Sequence, residues 1–168
     1  MATKLEDLGI FYSGAKGLNY PQNNSLLSIG GKLSSSRISN NKINNVFDSM
    51  GYMELKENTD NNRCIFIKNL STTDSINNLS LWIERQNTFE KIFFGVSLPT
   101  NNEVYQLESI NETPFNVEFY EAYSEEDKII LIPELKKGEV IALWLNKTTI
   151  PTEIKDVILE TNYKFDWT

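Results

Sequence analysis

RCIFIKN, Arg63 to Asn69, is the stretch on which the fold reading turns. In an extended chain successive side chains point to opposite faces, so Ile65 and Ile67 lie on one side and Cys64 and Phe66 on the other. Apolar residues on both faces mark a strand covered on both sides. Arg63 opens this strand after an acidic, Asn-rich turn, and its position favours local pairing with Asp60 or Glu57 over ligand binding.

Downstream, NLSLWIER alternates, with Leu79, Leu81 and Ile83 on one face and Ser80, Trp82 and Glu84 on the other. The intervening LSTTDSINN is dense in turn formers, which predicts that the two runs are antiparallel neighbours. The runs KIFFGVSLP, EVYQLESI, FNVEFYEA, KIILIPEL and GEVIALWLNK follow, each bounded by Pro, Asn, Gly or charge clusters. Short strands at this spacing predict a sandwich or barrel. The last run, EIKDVILETNYKFDW, is long enough for a helix, but its alternation favours a strand pair. In ELKKGEV, Leu135 anchors a turn and Gly138 supplies a positive φ before the chain re-enters a buried strand. A Gly-Glu loop before a tryptophan-bearing strand is the architectural analogy behind the expected fold, an all-β, Ig-like antiparallel β-sandwich.

Upstream the texture differs. Gly9, Gly14, Gly17, Pro21, Gly30 and Gly31 interrupt short apolar pieces, and SSSRISNNKINN is polar and turn-prone. Residues 1–60 therefore read as an extended, irregular N-terminal arm. It carries short strands at IFYSG and KLSSSRI, and a turn of helix or a strand around Val46, Phe47 and Met50. An arm this poor in apolar residues has to pack on the body, residues 61–168, or on a neighbouring subunit.

The chain has 168 residues, enough for one domain. With 40 % hydrophobic and 23 % charged residues it has the composition of a soluble globular protein. Its net charge of −7 argues against nucleic acid and anionic membranes as partners. No signal peptide or transmembrane run is visible at the sequence level. Cys64, the one cysteine, reads as a buried thiol packed like a small hydrophobe.

Chemistry has little to build on. The absence of histidine removes the commonest general base and metal ligand. One cysteine makes a zinc site very poor, and GAKG and IGGK are too short to cradle a phosphate. Glu84, Glu118 and Glu121 read as solvent-facing acids on half-exposed sheets rather than a glycosidase pair. Ser124–Asp127 and Asp60 lack the spacing of a calcium loop. No cofactor and no metal is expected. Trp82, on a polar face, is either exposed or covered by the arm or a partner; Tyr105, Phe119, Tyr120 and Tyr123 dress sheet surfaces. Trp144 reads as core.

Five segments in order carry a resemblance: SLLSIGGKLSSSRI (Ser25–Ile38), NNVFDSMGYMEL (Asn44–Leu55), RCIFIKN, LSLWIER (Leu79–Arg85) and PELKKGEVIALWLNKTTIP (Pro133–Pro151). They resemble a family of small bacteriophage virion structural proteins with the pattern SLGG, NNLFD, YRCIYVKN, VWI, PGE, VWL. The resemblance places the glycine pair on Gly30 and Gly31, NNLFD on Asn44 to Asp48, YRCIYVKN on Asn62 to Asn69, and the tryptophan strands on Trp82 and Trp144. Asn62 replaces the family's tyrosine, Lys137-Gly138-Glu139 stands for PGE, and RQNTFEK replaces a proline-rich loop.

What the resemblance implies is a non-enzymatic virion structural protein, an accessory head protein or head–tail junction component. Its partners would be other virion proteins and copies of itself, after synthesis in the bacterial cytoplasm. Negative charge suits a solvent-facing position outside a DNA-filled head. The candidate interface residues are Gly30, Gly31, Phe47, Arg63 and Trp82. The candidate core is Cys64, Ile65, Phe66, Ile67, Leu81, Ile83, Leu143 and Trp144. Two other classes remain open: a carbohydrate-binding β-sandwich for host adhesion, stacking sugars on Trp82 and nearby tyrosines, and a small carboxylate-dependent hydrolase, disfavoured by the missing histidine.

Overall fold

The computed structural model of the chain describes residues 5–39, 45–47, 59–85, 90–151 and 161–168. The expectations placed on Asn44, Asp48, Met50 and Glu57, and on residues 153–160 of the last run, lie outside the described residues. The strands are β1 (Leu8–Tyr12), β2 (Gly31–Lys32), β3 (Asp60–Asn69), β4 (Ile76–Arg85), β5 (Glu90–Ser97), β6 (Glu103–Val104), β7 (Ile129–Leu135), β8 (Val140–Thr149) and β9 (Thr161–Asp166). They form a four-stranded sheet ordered β1-β3-β8-β5, a three-stranded sheet ordered β7-β4-β9 and the small pair β2-β6. Every pairing is antiparallel.

The two larger sheets make an antiparallel β-sandwich. Its inner core runs from Ile65 and Ile67 of β3, Ile92 and Phe94 of β5 and Leu143 and Leu145 of β8 to Leu79, Leu81 and Ile83 of β4. Each such side chain contributes roughly 1.5–3 kcal/mol by leaving water. Lettering the seven longer strands A to G in chain order gives A-B-F-D and E-C-G. An immunoglobulin constant domain has A-B-E-D and C-F-G, so the two-sheet sandwich is shared while the strand order is this chain's own.

The other face of the four-stranded sheet is buried too. Cys64, Phe66, Ala142 and Trp144 pack there under Ile29, Leu33 and Leu107. The cover is an outer layer made of residues 13–38 and 98–120, mostly irregular and joined by β2-β6. Residues 5–39 of the arm thus lie on the chain's own body. The arm's first strand, β1, covers only the Ile65–Asn69 half of β3's edge. Beyond that, Cys64 N–H donates to Ser28 C=O (2.7 Å) and Asn62 N–H to Ile110 C=O (2.6 Å), so the outer layer completes the strand's hydrogen bonding.

Several expectations need correction. The runs around β3 and β4 are not hydrogen-bonded neighbours; they belong to opposite sheets. Asn69 explains why. Its amide donates to Asp74 C=O and Leu135 C=O (2.9 Å each), while its Oδ1 accepts from Ser71 N–H (2.9 Å). This buried side chain fastens the chain into an arch between sheets instead of a hairpin. EVYQLESI and FNVEFYEA are strand only at Glu103–Val104 and at a bridge from Tyr120 to Phe94. KLSSSRI pairs only at β2 and at an Arg37–Phe11 bridge. Pro133 sits in β7, an edge strand, where its missing N–H is tolerated.

Candidate interaction surface

Of the five candidate interface residues, Gly30, Gly31 and Arg63 are buried inside the chain itself. Alternation puts Arg63 on the same face as Ile65 and Ile67, pointing between the sheets, and exposed Asp60 on the opposite face. The Arg63 guanidinium donates to the Asn61 side chain and to Asn62 C=O, and its Cζ stands 5.4 Å from the centre of the Phe47 ring. Asp60 instead accepts from the Thr148 hydroxyl at 2.6 Å. Lys147 Nζ approaches the same ring to 4.9 Å, so two cations rest against one aromatic ring. Glu90, buried on the neighbouring strand, accepts from the Thr161 hydroxyl. Burial pushes the Tyr163 phenol above its ordinary value; the Glu90 carboxylate adds to this and Arg63 opposes it. One end of the sandwich is therefore a buried polar cluster. Lys147 is in phase with Leu143 and Leu145, a signal for inward placement that the sequence reading passed over.

Gly30 and Gly31 form the seat of the outer layer. Both take positive φ, 96° and 80°. A Cβ on Gly30 would lie 2.0 Å from Tyr105 O and 2.8 Å from the Trp144 ring, so only glycine lets the layer close onto that tryptophan. Beside them, Ser13 and Ser28 both donate to Cys64 C=O at 2.7 Å, and Gly30 N–H donates to Ser13 Oγ at 3.0 Å. These two serines went unremarked in the sequence because nothing local distinguishes them from the loop serines around them. Trp144 is buried, with its indole N–H on Ser97 Oγ at 3.0 Å. Cys64, Ile65, Phe66, Ile67, Leu81, Ile83 and Leu143 are all buried as well. Burial pushes the Cys64 thiol far up, which keeps it protonated.

Trp82 is half-buried and packs against the core, and beside it Glu84 pairs with Lys164 at 3.4 Å. Glu118 and Glu121 are exposed, and Ser124–Asp127 forms a turn closed by Ser124 and Asp127. Tyr105 and Tyr120 are exposed; Phe119 and Tyr123 are half-buried against the two cores. Among the described residues no three Cys, Asp or Glu side chains cluster as a metal site.

The exposed apolar side chains are not spread evenly. Ten large ones are exposed among the described residues: Leu5, Ile130 and eight in the outer layer. Phe115 at 80 %, Leu98 at 72 % and Tyr20 at 63 % are the most open of these eight. Single exposed apolar residues are unremarkable, but eight of these ten lie on one layer.

Compared with known proteins, the chain matches no family model, no curated protein and no solved structure.

Proposed function

We propose that this chain is a non-enzymatic structural component of a bacteriophage virion, an accessory protein of the head surface or of the head–tail junction. It is held there by contacts with other virion proteins and with copies of itself. The resemblance supplies the class. The observation that carries the role is the concentration of exposed apolar side chains on the outer layer, opposite the side where the two sheets pack. A rigid sandwich carrying one sticky layer suits repeated docking on a symmetric shell, where each modest contact is multiplied by avidity. The segments that carry the resemblance also meet in space: Gly30 lies against Trp144, and Cys64 is fastened by the layer that Gly30 seats.

The test is mass spectrometry and cryo-electron microscopy of particles purified from the phage whose genome encodes the chain. The expected result is multiple symmetric copies with Leu26, Leu98 and Phe115 covered by a neighbour. Absence of the chain from purified particles would overturn the reading.

A further inference from the structure

The two lateral sides of the sandwich are closed differently. On one side residues 117–123 bond to both sheets: Tyr120 exchanges main-chain hydrogen bonds with Phe94 (2.8 Å each), and Ala122 C=O accepts from Ile83 N–H (2.8 Å). On the other side a groove of about 430 Å³ separates the sheets. Leu8, Ile10 and Ile38 line one wall, and Tyr163, Phe165 and Trp167 the other.

The second wall is a strand edge. Ile83 N–H points to Ala122, away from β9, so Ile83 and Tyr163 are a non-hydrogen-bonded pair. By alternation Leu81 and Phe165 are another. The N–H and C=O groups of Tyr163 and Phe165 therefore face away from β4, on the groove side, and among the described residues no hydrogen bond meets them. Among the described residues the charged ones lining the groove are Arg37 and Lys164, both cationic, Lys164 also pairing with Glu84 at 3.4 Å, on a chain whose net charge is −7. Arg37 is held over the groove by its bond to Leu8 C=O at 2.9 Å.

An open strand edge beside an apolar trough is the geometry of strand addition, in which main-chain bonds give affinity and alternate side chains give specificity. We propose that β9 accepts an extended acidic segment of a partner protein as a fourth strand of the β7-β4-β9 sheet. Its apolar side chains would lie on Leu8, Ile10 and Ile38 and its carboxylates on Arg37 and Lys164. The added strand would close this side of the sandwich as residues 117–123 close the other. Five residues, at about 3.3 Å each, span most of the six-residue β9. The inference is independent of the virion reading.

The test titrates the full chain with the peptide acetyl-Val-Asp-Val-Asp-Val-amide and follows amide exchange by NMR. At saturation the Tyr163 and Phe165 amides should exchange at least about tenfold more slowly. The same peptide with lysine for aspartate should bind at least about tenfold more weakly, and Lys164→Glu, on an exposed side chain, should narrow or reverse that preference. Exchange at these two amides that ignores the peptide overturns the proposal, as does equal binding of the two peptides to the unmodified chain. Protection that rises with protein concentration when no peptide is present also overturns it, because the occupant is then a second copy of the chain.

Discussion

Against one face of the β1-β3-β8-β5 sheet lie three strands, the middle one turning Leu79, Leu81 and Ile83, fully buried, into the core and the outer two adding half-buried side chains such as Ile129 and Phe165. Against the other lie residues 13–38 and 98–120, where Ile29, Leu33 and Leu107 are buried but little of the chain is strand. The first cover is held by period-two alternation and a paired ladder, so its stability is distributed over many similar contacts. The second is held at a few points: a glycine where no Cβ fits, two serines on one carbonyl, and main-chain bonds to the stretch of β3's edge that β1 does not reach. A distributed cover loses stability in proportion to the volume removed, whereas a pinned cover comes off when one pin is lost.

The sharpest way to break this contrast is Gly30→Ala. The new Cβ meets the main chain of Tyr105 and the residue keeps a positive φ, so a loss of about 4 kcal/mol is expected. The loss should fall on the outer layer. Cys64, sealed beneath it, should become alkylated many times faster while far-ultraviolet circular dichroism still reports the β-sandwich. A Gly30→Ala protein whose Cys64 stays protected until a single global transition would show that both covers are one cooperative unit. Leu81→Ala probes the opposite face and should cost about 3 kcal/mol in denaturant melts, in the usual range for a buried leucine. Its Cys64 should react only as fast as global unfolding allows.

Asn69→Ala comes next, at about 2 kcal/mol, because it removes three hydrogen bonds of a buried amide and orphans two carbonyls and one N–H. Asn69 joins the β3-β4 arch to the end of β7, and Gly138 N–H bonds to its carbonyl at 3.0 Å. The substitution should therefore speed exchange at Ser71 and Gly138 together; faster exchange at Ser71 alone would mean that the two connections are held separately.

The same contrast governs what could be read in advance. β3, β4, β5, β7 and β8 were legible because burial on one or both faces writes a pattern into Ile65, Phe66, Leu81 or Leu143 that no loop needs. The placement of β3 and β4 in opposite sheets was not, because LSTTDSINN has the composition of a hairpin turn and the deciding bonds run from Asn69 to Asp74 and distant Leu135. The outer layer was least legible: Leu107 and Val117 look like strand residues, yet they pack as the underside of a loop. Arg63 and Glu90 show the limit for charged groups. Their residue types argue for exposure, and only the alternation set by Ile65 and Ile92 turns them inward.

The smallest effect expected concerns the three-stranded cover alone. Lys128, just before β7, pairs with Asp166 of β9, a strap across β4 between the two outer strands of that sheet. The hydrogen bond from Lys128 lowers the Asp166 carboxyl below its ordinary value, and the same bond raises Lys128. A carboxyl whose folded pKa is depressed adds stability above its unfolded value, about 4, and loses it as pH falls through the lower folded one. Lys128, raised, keeps its contribution until pH climbs past its folded value, so the pair acts across the whole neutral range. Both side chains are part-exposed, at 33 % and 46 %, and solvent screens them, so the gain is slight. Asp166→Asn should lie close to the wild type in urea midpoint at neutral pH and should flatten its decline below about pH 4. Added salt should shrink the remaining difference. An unchanged acid limb in Asp166→Asn would mean that the strap adds nothing and that the regular cover is held by its ladder and its apolar side chains alone.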